Sequence, residues 1–183
     1  MNNYIVIHGS FGSPFVNWFK WFFNEVSKSE NQVIIPQFPV GLNYQNYNNW
    51  KDLLDYYKSL NLINENTVFI GHSIGSIFIV KYLIENNIKV NKIILVSAFN
   101  NYTVDGGDYD KVNASFFVND ILEIKELVNE IICIYGDNDP YVKQEALKSF
   151  SNEAGTKEVS ITNGGHLNSE SGYNSFEELL EYI

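Results

Sequence analysis

The chain has no arginine, a single cysteine, four prolines and no apolar run approaching 18 residues. Each shortage removes a class of protein. All 12 cationic residues are lysines, set against 22 acidic residues for a formal net charge of −10. Nucleic acid is held by clustered cations, and no basic patch is present, so nucleic acid is not an expected partner. One cysteine rules out an internal disulfide. Cys133 lies in the apolar run Ile131-Ile132-Cys133-Ile134 and reads as a buried structural thiol rather than a reactive one. Without a long apolar run there is no transmembrane helix to place. The start, Met1-Asn2-Asn3-Tyr4, has neither a basic n-region nor an apolar h-region, so the expectation is a cytoplasmic chain with no membrane association. On that expectation the glycosylation-type triplets at Asn101 and Asn113 are accidental. Metal-ligand spacing is also missing. The three histidines form no H-x-x-x-H pair and have no Cys partner, so no metal or other cofactor is expected.

What is present is a folding chain. Hydrophobic residues make up 45% and aromatics 15%, and 183 residues suit one core, so a single domain over residues 1–183 is expected. No repeat, low-complexity tract or linker divides it. Apolar segments predict strands at Tyr4-Ile-Val-Ile, Gln32-Val-Ile-Ile, Thr67 to Ile70, Lys92 to Ser97, Glu130 to Tyr135 and Lys157 to Ile161. Helical spacing predicts helices from Pro14 to about Ser27, Tyr47 to Leu60, Ile74 to Glu85 (amphipathic), Asn119 to Leu127, Val142 to Ser151 and Tyr173 to Tyr182. Residues 99 to 118 show no clear period. Continuous apolar strands alternating with helices argue for βαβ units, and hence a three-layer α/β/α sandwich around a mainly parallel six-stranded sheet. Ligands in such folds bind beyond the carboxyl ends of the strands. Functional residues are therefore expected just after strands one, three, five and six.

Chemistry collects at those ends. Gly71-His72-Ser73-Ile74-Gly75 has the G-x-S-x-G spacing of a nucleophile elbow, with the strand before it and the helix after it that the motif requires. Glycine at these positions lets backbone pass too close for a Cβ. Serine needs a base held by a third group. After strand five stands Asp137-Asn138-Asp139-Pro140, and after strand six Gly164-Gly165-His166-Leu167. The order Ser73, Asp139, His166 is that of α/β-hydrolase elbows. His166 is the only histidine after strand six; Asp137 competes with Asp139 for the acid, and either could instead initiate a turn. The oxyanion donors expected are the backbone N–H groups of Ile74 and of Ser10 in the turn after strand one. His8 and His72 each adjoin a tight turn and are expected to organise hydrogen bonds there. Most of the aromatic run from Trp18 to Phe23 reads as core, although Phe15 or Trp18 stands where it could wall a pocket.

His8-Gly9-Ser10 with Pro14 and Trp18-Phe19-Lys20-Trp21, then Gly71 to Gly75, Ile94-Leu95-Val96-Ser97, Asp139-Pro140-Tyr141-Val142 and Gly164-Gly165-His166-Leu167, resemble the small serine hydrolases of the retinoblastoma-binding-protein-nine type. The resemblance spans nearly the whole chain. It implies a compact α/β-hydrolase fold with no large cap and triad roles for Ser73, Asp139 and His166. It also favours Asp139 over Asp137 by its spacing of three before Val142. Residues 100 to 118 have no match in the family pattern, which leaves the pocket walls undefined. The implied activity is hydrolysis of small acyl esters, with amides or thioesters second, through an acyl-enzyme on a small-molecule substrate at an open site. Whether a protein partner exists is not readable, and the alternative is a binding or scaffold protein that keeps the fold.

Overall fold

Alternation along each strand sends successive side chains to opposite faces of a sheet, and here both faces are apolar. Ile5, Ile7, Phe69, Ile93, Leu95, Ile131, Cys133 and Tyr135 belong to one buried cluster, while Tyr4, Val6, Val68, Ile70, Ile94, Val96, Ile132 and Ile134 belong to a second. A sheet greasy on both sides must be covered on both sides. This computed structural model describes residues 2–101, 107–154 and 157–183, and in it the strands are β1 (Asn3–Ile7), β2 (Gln32–Ile34), β3 (Thr67–His72), β4 (Val90–Val96), β5 (Val128–Gly136) and β6 (Lys157–Ile161). They form one sheet in the order β2-β1-β3-β4-β5-β6, and every pairing is parallel.

Helix α1 (Phe19–Val26) packs on the second cluster with the C-terminal residues Phe176 and Leu179. Helices α2 (Tyr47–Ser59), α3 (Ile74–Glu85) and α5 (Gln144–Ala154) pack on the first. The short α4 (Asp108–Asn113) lies in the aperiodic stretch after β4. Of residues 99 to 118, positions 102–106 lie outside the described residues, and with them most of the triplet at Asn101.

Four expectations change. Helix α3 is not amphipathic: everything from Ile74 to Leu83 is buried except Lys81, because α3 lies between the sheet and α2 with its neighbouring aromatics. Phe78 alone meets rings of Phe38, Tyr47, Trp50, Tyr82 and Phe116. Helix α1 starts at Phe19 rather than Pro14, since Asn17 takes a left-handed φ of 55° and its main chain is tied to Ser169. The segment expected as a helix from Asn119 is a 3-10 turn at Leu122–Glu126. Its buried residues Ile121, Ile124 and Leu127 recur every three positions, a spacing that a 3-10 turn with three residues per turn stacks in line and an α-helix lets drift around its axis. The same period explains why the chain ends in a 3-10 segment, Glu177–Tyr182, with Phe176 and Leu179 both fully buried. Cys133 is buried, as its apolar run implies.

The strand order reverses between β1 and β3, since the chain moves outward to β2 and then returns to the far side of β1. That switch point opens a crevice at the strands' carboxyl ends. Phe78→Ala should destabilise the protein by about 3–5 kcal/mol, read from urea unfolding midpoints; a loss below about 1 kcal/mol would show that the aromatic cluster is not the structural core.

Candidate active site

Ser73 follows β3 directly and precedes α3, and its backbone has φ 57° and ψ −127°. A non-glycine residue there carries strain of roughly 1–3 kcal/mol. The strain is held by main-chain bonds: Ser73 N–H donates to the Val96 carbonyl at 2.8 Å, and Ser76 N–H donates to the Ser73 carbonyl at 3.0 Å. Both glycines of the motif are required by contact. A Cβ on Gly75 would lie 2.5 Å from the Ile7 carbonyl oxygen and 2.6 Å from that of His8, and one on Gly71 would lie 2.5 Å from Ser76 Cα. The first turn of α3 thus rests against the end of β1.

Asp139 and His166 meet. His166 Nδ1 donates to Asp139 Oδ2 at 2.7 Å, and the Asp139 carboxylate is fully buried. Asp139 Oδ1 accepts the N–H groups of Tyr141 and Val142 at 2.9 and 3.1 Å, so the carboxylate is fixed by three donors. Asp137 does other work: its Oδ1 accepts the Asn163 N–H at 2.8 Å, while Asn138 Oδ1 accepts the Gly165 N–H at 2.7 Å. Three consecutive side chains after β5 therefore grip the loop after β6. From below, His72 Nε2 and Ser97 Oγ donate to the His166 carbonyl at 2.9 and 3.2 Å. Trp18 Nε1 donates to the Leu167 carbonyl at 3.1 Å, and Ser171 Oγ accepts the His166 N–H at 3.1 Å.

Ser73 and His166 both line two adjoining cavities. One, of about 180 Å³, is bordered by Gly9, Ser10, Asn17, Tyr141, Asn168 and Glu170. The other, of about 90 Å³, is bordered by Phe99, Tyr109, Asn113, Tyr141 and Val142. Neither Phe15 nor Trp18 walls them: Phe15 is 84% exposed at the surface and Trp18 is fully buried. Val16, Asn17 and Phe19 take that place, because the chain turns before α1 begins. Ser10 lies on the cavity wall with its hydroxyl donating to Asn113 Oδ1 at 2.5 Å, and the Phe11 N–H donates to Gln45 Oε1 at 2.9 Å. Gln45 and Asn113 are both buried. Ile74 is fully buried as the first residue of α3, where a helix N–H has no intrahelical acceptor.

The other two histidines are structural, and burial keeps both neutral. His8 Nδ1 donates to the Gly9 carbonyl and its Nε2 accepts the Phe38 N–H at 3.0 Å, with its pKa pushed down to about 4 by desolvation. His72 is pushed down to about 3 by burial and then by the neighbouring His166. Among the described residues no group of three or more His, Cys, Asp or Glu side chains is placed to hold a metal ion, and no helix is long and apolar enough to cross a membrane. Ser97, Gln45, Asn113, Tyr109 and Tyr141 escape sequence reasoning. Only Ser97 and Tyr141 carried a signal, as a polar residue closing an apolar strand and as a neighbour of Asp139.

The sequence profile of a family described as serine hydrolase matches residues 4–183. No curated protein sequence matches the chain. Among solved structures, the ydeN gene product of B. subtilis superposes with a TM-score of 0.87 at 23% identity, covering 99% of this chain and 96% of that one. Est1E of Butyrivibrio proteoclasticus, solved with ferulic acid bound, gives 0.70 at 16% identity, covering 99% and 89%. The carboxylesterase CesB (YbfK) of Bacillus subtilis gives 0.65 at 15%, covering 99% and 83%. At these identities the likenesses show the shared α/β-hydrolase fold.

Because His8 and His72 have lowered folded-state pKa values, the unfolded chain binds more protons below pH 6.5. The stability that their neutral forms contribute is complete above about pH 6.5 and is lost as pH falls toward 4. Urea midpoints should fall from pH 7 to pH 5, and His8→Asn should flatten that slope; an unchanged slope in the variant would show that His8 is not buried neutral.

Proposed function

Since the chain belongs to the serine hydrolase family, matched from residue 4 to residue 183, we propose that it cleaves small acyl esters through a Ser73-His166-Asp139 triad and an acyl-enzyme intermediate. The observation that carries this reading is the 2.7 Å bond from His166 Nδ1 to a buried Asp139 carboxylate, with His166 and Ser73 on the wall of the same cavity. Donating Nδ1–H to Asp139 leaves Nε2 as the ring's accepting nitrogen, which suits a general base for the serine hydroxyl. Ser73 Oγ attacks the ester carbonyl as its proton moves to His166, and Asp139 stabilises the imidazolium. The tetrahedral oxyanion is met by the N–H groups of Ile74 and Ser10, with the positive end of the α3 dipole behind it. Collapse expels the alcohol with the proton from His166, and water attacks the acyl-enzyme by the same route in reverse.

The cavity of about 90 Å³ supports a small acyl group. It is lined by Phe99, Val142 and the tyrosine rings, and its size suits a short acyl chain rather than a long one. The wider cavity, bordered by Ser10, Asn17 and Asn168, suits the leaving group, which departs first and needs a way out. Amides and thioesters follow the same steps, and the reaction so written draws only on groups of this chain.

A p-nitrophenyl ester series from acetate to octanoate should peak at two to four acyl carbons. Ser73→Ala should lower kcat/KM by about 10⁴-fold or more, and Asp139→Asn by about 10²–10⁴-fold. A fluorophosphonate probe should label Ser73. Hydrolysis that persists in Ser73→Ala, or a folded protein that the probe leaves unlabelled, would overturn the proposal.

A further inference from the structure

The wider cavity has an electrical sign. Of the side chains lining the two cavities, Glu170 is the one carboxylate among the described residues, and no lysine lines either. Glu170 sits in the loop after β6, four residues beyond His166, where the Asn168 side chain accepts the Ser171 N–H and fixes a 3-10 turn over Ser169–Ser171. Its Oε2 accepts the Tyr141 hydroxyl, which ties the carboxylate to a ring packed edge-on against His166 at 5.1 Å between centroids. That bond, and then burial, pushes the Tyr141 phenol up to about 12, so the phenol keeps its proton and remains the donor to Glu170. Tyr109 stands across the same space, braced edge-on by Phe11 at 5.3 Å. A carboxylate attracts a cation by charge, and a tyrosine ring adds to this through its quadrupole where the cation lies over its face. On the α4 side, Lys111 is already paired with Asp108 at 2.9 Å, so it offers no compensating positive charge. The chain's net charge of −10 adds a field that draws cations and repels anions.

Building on the serine hydrolase reading, we propose that the preferred substrates are short-chain esters or thioesters whose leaving group carries a positive charge near the bond cleaved, with Glu170, Tyr141 and Tyr109 as the specificity-determining residues. The acyl group enters the smaller apolar cavity and the cationic alcohol or thiol lies over Glu170. Ser73 Oγ bonds to the acyl carbon, the bond to the leaving oxygen or sulfur breaks, and the departing group takes the proton that His166 received from Ser73. Water then releases the short carboxylic acid. Polyanionic carriers, such as nucleotide-linked thioesters, are disfavoured by the same charge.

The test compares three S-butyryl thioesters of similar size on the full chain at low ionic strength, following thiol release: butyrylthiocholine, its uncharged 3,3-dimethylbutyl isostere and a sulfonate-bearing analogue. An exposed carboxylate predicts a preference in kcat/KM of about three- to tenfold for cation over neutral isostere, and a similar step from neutral to anion. Glu170→Gln should bring the cation-to-neutral ratio close to one, Glu170→Lys should invert the order, and 0.5 M salt should compress it in the wild type. Ser73-dependent turnover with no charge order, or an order that survives Glu170→Gln, overturns this inference while leaving the hydrolase reading in place. Absence of Ser73-dependent turnover on all three thioesters and on p-nitrophenyl butyrate overturns both.

Discussion

The contact between the first turn of α3 and the end of β1 sets the rest of the structure. Gly75 lies so close to the Ile7 and His8 carbonyls that no side chain fits between them. That approach holds Ser73 in its strained conformation at the point where the strand order reverses. It also brings the turn carrying Gly9 and Ser10 against the serine: a Cβ on Gly9 would lie 3.0 Å from Ser73 Cβ. Ser73 and the turn carrying Ser10, the proposed nucleophile and one proposed oxyanion donor, are thus positioned by one backbone packing event. Strain of a few kcal/mol is tolerable because α3 is buried along most of its length among aromatics, which over-determine where its first turn lies.

His166, the proposed base, is placed by a different device. No helix or strand carries His166; its loop is instead bound through main-chain atoms by side chains from four other segments. Asp137 and Asn138 hold it from the β5 loop, Trp18 from the approach to α1, and His72 and Ser97 from beneath. His72 does this as the Nε2–H tautomer, which the His166 carbonyl selects. His72, next to Ser73, thus helps to position His166, the proposed base. Rigid support of this kind lets a loop residue hold the geometry that general base catalysis needs.

Much of this is legible in the amino-acid sequence, and the reasons differ by element. The central strands β1, β3, β4 and β5 carry apolar runs buried on both faces, and the edge strands β2 and β6 shorter, half-buried ones; all six are found close to their observed positions. Ser73, Asp139 and His166 can be located because each adjoins the end of such a run. The sequence places Asp139 in the triad order, and the family resemblance favours it over Asp137; in the structure Asp139 is buried against His166, while Asp137 accepts the Asn163 N–H. The 3-10 segments read as helices because Ile121, Ile124 and Leu127 recur at i and i+3, a spacing that an α-helix and a 3-10 turn share. Gln45 and Asn113, which set the turn around Ser10, have no local signature at all. They lie 68 residues apart, and their shared contact exists only once the chain is folded. The cavity walls are unreadable for the same reason: Phe99 follows β4, Tyr109 lies on α4 and Tyr141 follows β5.

The central claim is that Ser73 becomes acylated. Rapid mixing of the protein with p-nitrophenyl butyrate, acid quench in the first turnovers and peptide mapping by mass spectrometry tests it most directly. A butyryl adduct confined to the peptide containing Ser73, matched by a burst of about one p-nitrophenol per chain and lost in Ser73→Ala, is the expected result. Steady hydrolysis with no adduct at Ser73, or an adduct on another residue, would contradict it.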